Sequence, residues 1–127
     1  MRKVSFDFDG TLDKKNVQLF ATKLVEDGFD VWIVTSRTNT QDALKRGWTW
    51  IKKQNEELYR VADECGITNI KFTDHVDKIE FLKDKDFIFH LDDDEYELMA
   101  IFESGDKCKA ININYFDWEN ACLQLLK

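Results

Sequence analysis

The chain alternates short apolar runs with longer amphipathic ones. In Lys3–Asp9 (KVSFDFD), Val4, Phe6 and Phe8 alternate with Ser5, Asp7 and Asp9, the period-two pattern of a strand with one buried face. Val17, Phe20, Ala21, Leu24 and Val25 then recur at helical spacing, which predicts a helix over Val17–Asp27 with Gly28 as its C-cap. Asp30–Thr35 (DVWIVT) is a short apolar run suited to a strand buried on both faces. After a polar loop, Ser36–Thr40, the residues Leu44, Trp48, Ile51, Leu58, Val61 and Cys65 mark a long helical stretch, Gln41–Cys65. Gly66 closes it and Gly47 offers a place to divide it. Trp48 falls on its apolar face and is expected in the core; Trp50 falls off that face.

The second half continues the alternation. Asn69–Thr73 (NIKFT) reads as a weaker third strand and Val76–Leu82 as a short helix. Asp86–Leu91 (DFIFHL) is a fourth strand running into Asp92-Asp93-Asp94. A helix over Tyr96–Glu103 stops at Ser104-Gly105, and Lys109–Asn114 (KAININ) is a fifth strand. Asp117 is expected to cap a last helix whose apolar side is Trp118, Ala121, Cys122, Leu125 and Leu126. Strands alternating with helices imply an α/β fold: a doubly wound (Rossmann-like) parallel five-stranded sheet with helices on both faces. Residues 1–127 are expected to form one domain, with no segment long enough for a separate cap domain.

Composition narrows the classes. A chain of 127 residues that is 43% hydrophobic can bury a proper core. Its net charge of −7 disfavours broad binding to nucleic acid, which needs a cationic surface. No apolar run is long enough to span a membrane. Met1-Arg2-Lys3 leads straight into a strand with no signal-peptide core, and Cys65, Cys108 and Cys122 show no metal-type or redox pairing. Buried, reduced thiols in a cytoplasmic protein are expected. No zinc spacing or Ser-His-Asp order appears, and His75 and His90 read as structural or surface residues.

In open parallel sheets, ligands bind beyond the carboxyl ends of the strands. Here those ends carry Asp7, Asp9, Gly10 and Thr11; then Thr35, Ser36 and Arg37; then Asp74, His75 and Lys78; then Asp92, Asp93 and Asp94. Hard carboxylate oxygens gathered without cysteine or histidine suit Mg²⁺. A magnesium ion beside a lysine or arginine suits a phosphoryl group.

This set resembles the haloacid dehalogenase-like superfamily, whose members are mostly Mg²⁺-dependent phosphatases. Asp7-Phe8-Asp9-Gly10-Thr11 matches its DxDGT motif in full. Thr35, with Ser36 as a neighbouring candidate, matches its hydroxyl after an apolar strand. Lys78, ahead of Lys71, Lys83 and Lys85, matches its lysine, and Asp92-Asp93 its acidic pair. The resemblance implies Asp7 as nucleophile, forming an aspartyl-phosphate. It implies Asp9 as general acid and base, Thr35 as a phosphoryl hydrogen-bond donor and Lys78 as the neutralising cation. Mg²⁺ would be held by Asp7, the carbonyl of Asp9 and an acid of the fourth strand, Asp93 ahead of Asp92, with Asp94 leaving the register open. A further acid of the family pattern falls at Glu97.

Only Leu12–Asn16 separates the motif from the first helix. An open, capless site is therefore expected, suited to a bulky phosphate ester or to a cap from a partner. Thr35-Ser36-Arg37 is similar to a segment in the phosphatase part of polynucleotide kinase/phosphatases, where the arginine grips the phosphate. That implies a phosphorylated small molecule, a nucleotide or an oligonucleotide 3′-phosphate as substrate, with Gly10, Thr11, Ser36 and Arg37 in contact with it. Two other readings compete: a receiver-like phospho-acceptor switch, and a phosphate-binding protein of this fold with weak catalysis. The acid on the first strand, with a second acid two residues on, favours turnover.

Overall fold

The computed structural model describes residues 1–127. Five strands form one sheet: β1 (Lys3–Phe6), β2 (Asp30–Thr35), β3 (Asn69–Phe72), β4 (Phe87–Asp92) and β5 (Lys109–Asn112). Their order across the sheet is β3-β2-β1-β4-β5 and every pairing is parallel. The helices are α1 (Lys15–Glu26), α2 (Thr40–Lys45), α3 (Trp50–Cys65), α4 (Ile79–Leu82), α5 (Glu95–Ser104) and α6 (Trp118–Leu125). This is the expected doubly wound α/β arrangement, without a cap. No helix is long and apolar enough to cross a membrane.

The strand period sorts side chains onto two faces. Val4 and Phe6 of β1, Val31 and Ile33 of β2, and Phe89 and Leu91 of β4 enter the larger core. There they meet Phe20 of α1, Leu58 and Val61 of α3, and Trp118 and Cys122 of α6. Phe6 is packed edge-on between Phe20 and Phe89, with ring centroids 6.1 and 5.8 Å away. The opposite face is covered by α4 and α5 over a smaller cluster of Val34, Ile79, Leu82, Phe87, Ile101 and Cys108. All three cysteines are buried and free.

An irregularity in β4 matters for function. Lys3 pairs with Phe87, yet Ser5 pairs with His90, so the ladder holds one extra residue on β4. Such a bulge shifts the alternation by one. Phe87 therefore joins the smaller cluster while Phe89 and Leu91 join the larger one. Downstream of the bulge, His90 and Asp92 share the face of Ser5.

Several boundaries differ from the sequence reading. The first strand ends at Phe6, not Asp9, because residues Phe8–Leu12 coil into one wide turn. The amides of Leu12 and Asp13 reach back to the carbonyls of Asp7 and Phe8, each at 3.1 Å. The long helix is divided at Gly47, as the sequence allowed. The division carries Leu44 to an exposed position and leaves Trp48 between α2 and α3, half-buried, outside the core where it was expected. Asp117 precedes α6 but makes no side-chain cap; its carboxylate accepts from the Asn120 side-chain amide at 3.3 Å.

Candidate functional site

The strand order reverses between β1 and β4: the chain runs outward from β1 through β2 to β3, then returns to place β4 on the other side of β1. A crevice beyond the carboxyl ends is expected at that switch point. Asp7 leaves the end of β1 and Asp92 is the last residue of β4. Their strands are tied there by the Asp7 amide, which donates to the Leu91 carbonyl at 2.8 Å.

Lys78, at the start of α4, lies between the two carboxylates. Its Nζ donates to Asp7 Oδ1 at 2.8 Å and to Asp92 Oδ2 at 2.6 Å. All three side chains are almost fully buried. Thr11 Oγ1 donates to the other Asp7 oxygen at 3.1 Å. Glu97, the further acid of the family pattern, acts on the lysine's backbone. Its Oε1 accepts from the Lys78 backbone amide at 3.3 Å, so it fixes the start of α4 and with it the lysine.

Asp92 is the more tightly held acid. Its Oδ1 accepts from the amides of Asp93 and Asp94 at 2.8 and 3.0 Å. Its Oδ2 accepts from Lys78 and from His90 Nε2, the latter at 2.7 Å. An ionised carboxylate only accepts, so Nε2 carries the proton, and Nδ1 accepts from Ser5 Oγ at 2.7 Å. Ser5, His90 and Asp92 thus form a chain of hydrogen bonds, but Ser5 and His90 are sealed from solvent. It is a brace, not a nucleophilic triad. His90 is thus a structural residue, one of the two roles the sequence allowed it, and its spacing from Asp92 puts both on one face of the strand.

These contacts divide the charges. Burial would raise Asp92, but the His90 hydrogen bond and Lys78 hold it below the usual carboxylate range. Burial pushes Asp7 up to about 8, helped by the Asp92 charge and opposed by Lys78. Burial alone would lower Lys78; the two carboxylates outweigh it and raise it. Burial keeps His90 low, hence neutral.

The Asp93 carboxylate accepts from no protein amide, hydroxyl or ammonium and stands against Asp7, whose pKa it helps to raise. It is exposed and stands over Gly10, where a Cβ would come within 2.1 Å of Asp93 Oδ2. Gly10 also has φ +80°, a left-handed conformation that other residues adopt at a cost. Carboxylate oxygens of Asp7, Asp92 and Asp93 lie within 4.8 Å of one another. Asp94 takes the remaining role of the triplet: its Oδ1 caps α5, accepting from Tyr96 and Glu97 amides at 2.9 and 3.2 Å.

The β2 end departs from expectation. Thr35 is fully buried, and its Oγ1 accepts from the Arg37 amide at 3.2 Å. Ser36, its neighbour, is the hydroxyl residue lining a cleft of about 270 Å³ with Asp7, Asp9, Lys78, Asp92, Asp93 and Asp94. Arg37, expected to grip a phosphate, instead holds Asp9. Nε donates to Oδ2 at 2.9 Å and Nη2 to Oδ1 at 2.6 Å. Asp74 and His75 also leave the expected site edge. Asp74 ties Thr38 and Arg46 together, accepting at 2.6 Å from Thr38 Oγ1 and at 2.8 and 2.7 Å from Arg46. His75 lines a second cleft, of about 440 Å³, that shares Asp9 and Ser36 with the first.

Compared with known protein families, curated proteins and solved structures, the chain matches none. What the site can do follows from its own side chains: a fixed buried ammonium, carboxylates of unequal freedom, and an open crevice.

Proposed function

We propose that the protein is a Mg²⁺-dependent phosphomonoesterase of the haloacid dehalogenase-like type, acting through a phosphoryl group carried on Asp7. One observation carries this reading: the buried Lys78 ammonium bridges Asp7 and Asp92 at the crevice where Asp93 overhangs Gly10. A lysine sealed between two acids aims Asp7 and offsets the charge of an incoming phosphoryl group.

The residues fit a magnesium ion. The donors are hard carboxylate oxygens; the His90 imidazole beside them is committed to Asp92 and Ser5, and His75 lines the adjoining cleft. Asp7, raised to about 8 by burial, needs a second cation before it is readily ionised at neutral pH. Asp7 and Asp93, with the Asp9 carbonyl, would hold the ion; Asp92 has both oxygens occupied by protein donors. Bound there, Mg²⁺ supplies Lewis-acid polarisation of phosphoryl oxygens and relief of carboxylate repulsion.

The chain's own groups do the rest. An Asp7 oxygen bonds to phosphorus as the ester P–O bond breaks, and Asp9 gives the leaving oxygen its proton. Water then attacks phosphorus, Asp9 takes its proton, and the Asp7–phosphorus bond breaks to release phosphate. Ser36 donates to a phosphoryl oxygen, the part first assigned to Thr35. A cytoplasmic location fits the three buried, unpaired cysteines. The test is phosphate release from an aryl phosphate. It should require Mg²⁺ and be abolished by Asp7→Asn; unchanged turnover in Asp7→Asn would remove the proposed nucleophile.

A further inference from the structure

The exposed acid and its partner carry more information than the buried box. Arg37 is anchored to the scaffold on one side and paired with an exposed acid on the other. Its Nη1 donates to the Gln54 carbonyl at 2.8 Å, and its guanidinium lies 5.0 Å from the centroid of the Phe8 ring. The Gln54 carbonyl belongs to α3, so the anchor is part of the scaffold. The loop that carries Arg37 is also pinned. The Asp74 and His75 amides donate to the carbonyls of Arg37 and Ser36 at 3.1 and 2.8 Å. The remaining edge, Nε and Nη2, is the fork that matches a carboxylate or a phosphate. In this structure the fork holds Asp9.

Asp9 is held differently. It sits on the wide turn, its side chain is 56% exposed, and Arg37 is its only ion-pair partner. It stands where the two clefts meet. Besides the sealed Lys78, Arg37 is the one lysine or arginine on the walls of either cleft. The larger cleft continues past Arg37 along Trp48 and Ile51, which give it an apolar wall.

We infer that Arg37 is a specificity residue that recognises a second anionic group on the leaving-group side of the substrate, and that this anion displaces Asp9 from the fork. The preferred substrates are then phosphomonoesters whose leaving group bears its own carboxylate or phosphate beside an apolar or planar portion lying along Trp48. This rests on the phosphatase reading above. In the exchange two N–H donors pass from one oxyanion to another, and Asp9, released as a carboxylate, takes a proton from solvent before it acts as the acid. Arg37 keeps its anchor on Gln54, and Asp9, now free of Arg37, serves the leaving oxygen. A plain ester offers no replacement anion, so Asp9 stays on Arg37 and turnover is slow.

The experiment compares two matched pairs at saturating Mg²⁺: phenyl phosphate with 3-carboxyphenyl phosphate, and uridine 3′-phosphate with uridine 3′,5′-bisphosphate. Each pair is measured on the wild type, Arg37→Gln and Arg37→Lys. The wild type should favour the more anionic member of at least one pair by about tenfold or more in kcat/KM, the scale of one charge-assisted contact. Arg37→Gln should bring that ratio to within about twofold, the anionic ester losing its contact while the plain ester holds or gains because Asp9 is no longer held. Arg37→Lys, which keeps the charge but not the fork, should fall between. Turnover of both pairs without preference in the wild type would overturn the inference and leave the phosphatase reading intact. So would an Arg37→Gln variant that loses both members equally. No turnover of any of the four esters would overturn both. Circular dichroism and thermal melts of the variants separate misfolding from altered recognition.

Discussion

Two acids two residues apart meet opposite treatment in this molecule. Asp7 is sealed, aimed by Lys78 and Thr11, and tied to β4 by a hydrogen bond from its backbone amide to the Leu91 carbonyl. Asp9 is exposed, sits on the wide turn, and has its carboxylate oxygens on a single arginine. The first arrangement fixes an oxygen in space. The second leaves an oxygen that can change partners. A nucleophile benefits from being fixed, because reactivity depends on alignment with the leaving group. An acid and base that serves two steps benefits from freedom. The contrast is therefore what a two-step phosphoryl transfer would ask of these two positions.

The contrast can be broken at either end. The largest effect is expected at Asp92, which anchors the fixed side. In Asp92→Asn one oxygen becomes an amide N–H₂ facing the Lys78 and His90 donors or the two backbone amides. Loss of a buried charge partner of this kind costs about 3–5 kcal/mol, read as a fall in the urea midpoint at constant slope. A loss under about 1 kcal/mol, the range of exposed pairs, would show that the box is not the rigid element described here.

Asp7 should give a change of similar size, in the pH dependence of stability. Its folded-state pKa lies above the ordinary 3.8, near 8, chiefly through burial. Folding therefore favours its protonated form. That contribution is complete below the unfolded pKa and is lost as pH rises through the folded one. In chelator, the wild type should lose stability relative to Asp7→Asn between about pH 4 and about pH 8. Added Mg²⁺ should remove part of the loss. Urea melts of both proteins across that range measure it, and parallel curves would contradict the assigned shift.

The smallest effect is expected at the exchangeable side. Arg37→Gln removes a bidentate but part-exposed pair, worth below about 1 kcal/mol. A loss as large as that of Asp92→Asn would make Arg37 a structural strut and erase the difference between the two regions.

Much of this was legible in the sequence, for identifiable reasons. The apolar run DVWIVT has the boundaries of β2 because a strand buried on both faces announces both its ends. Lys78 was separable from Lys71, Lys83 and Lys85 because those read as strand or surface lysines, and it is the lysine sealed between the acids. What was not legible depended on side chains meeting across the chain. Arg37 and Asp9 are 28 residues apart, and their pairing comes from the way the β2 loop folds over the wide turn. His90 looked like a lone strand residue because the β4 bulge that aims it at Ser5 leaves no composition signal. Thr35 and Ser36 were both hydroxyls at the right strand end; only their burial tells which one lines the crevice. Trp48 was misread because the period was carried across Gly47, where the helix stops.

The central claim is that Asp7 takes the phosphoryl group and gives it up again. Rapid acid quenching of enzyme with Mg²⁺ and an aryl phosphate, followed by peptide mass spectrometry, tests it directly. A phosphoryl group is expected on the peptide containing Asp7 within the first turnover, decaying as free phosphate appears, with no such adduct in Asp7→Asn. Phosphate release with no adduct on that peptide, or an adduct on Asp7 that persists without release, would contradict it.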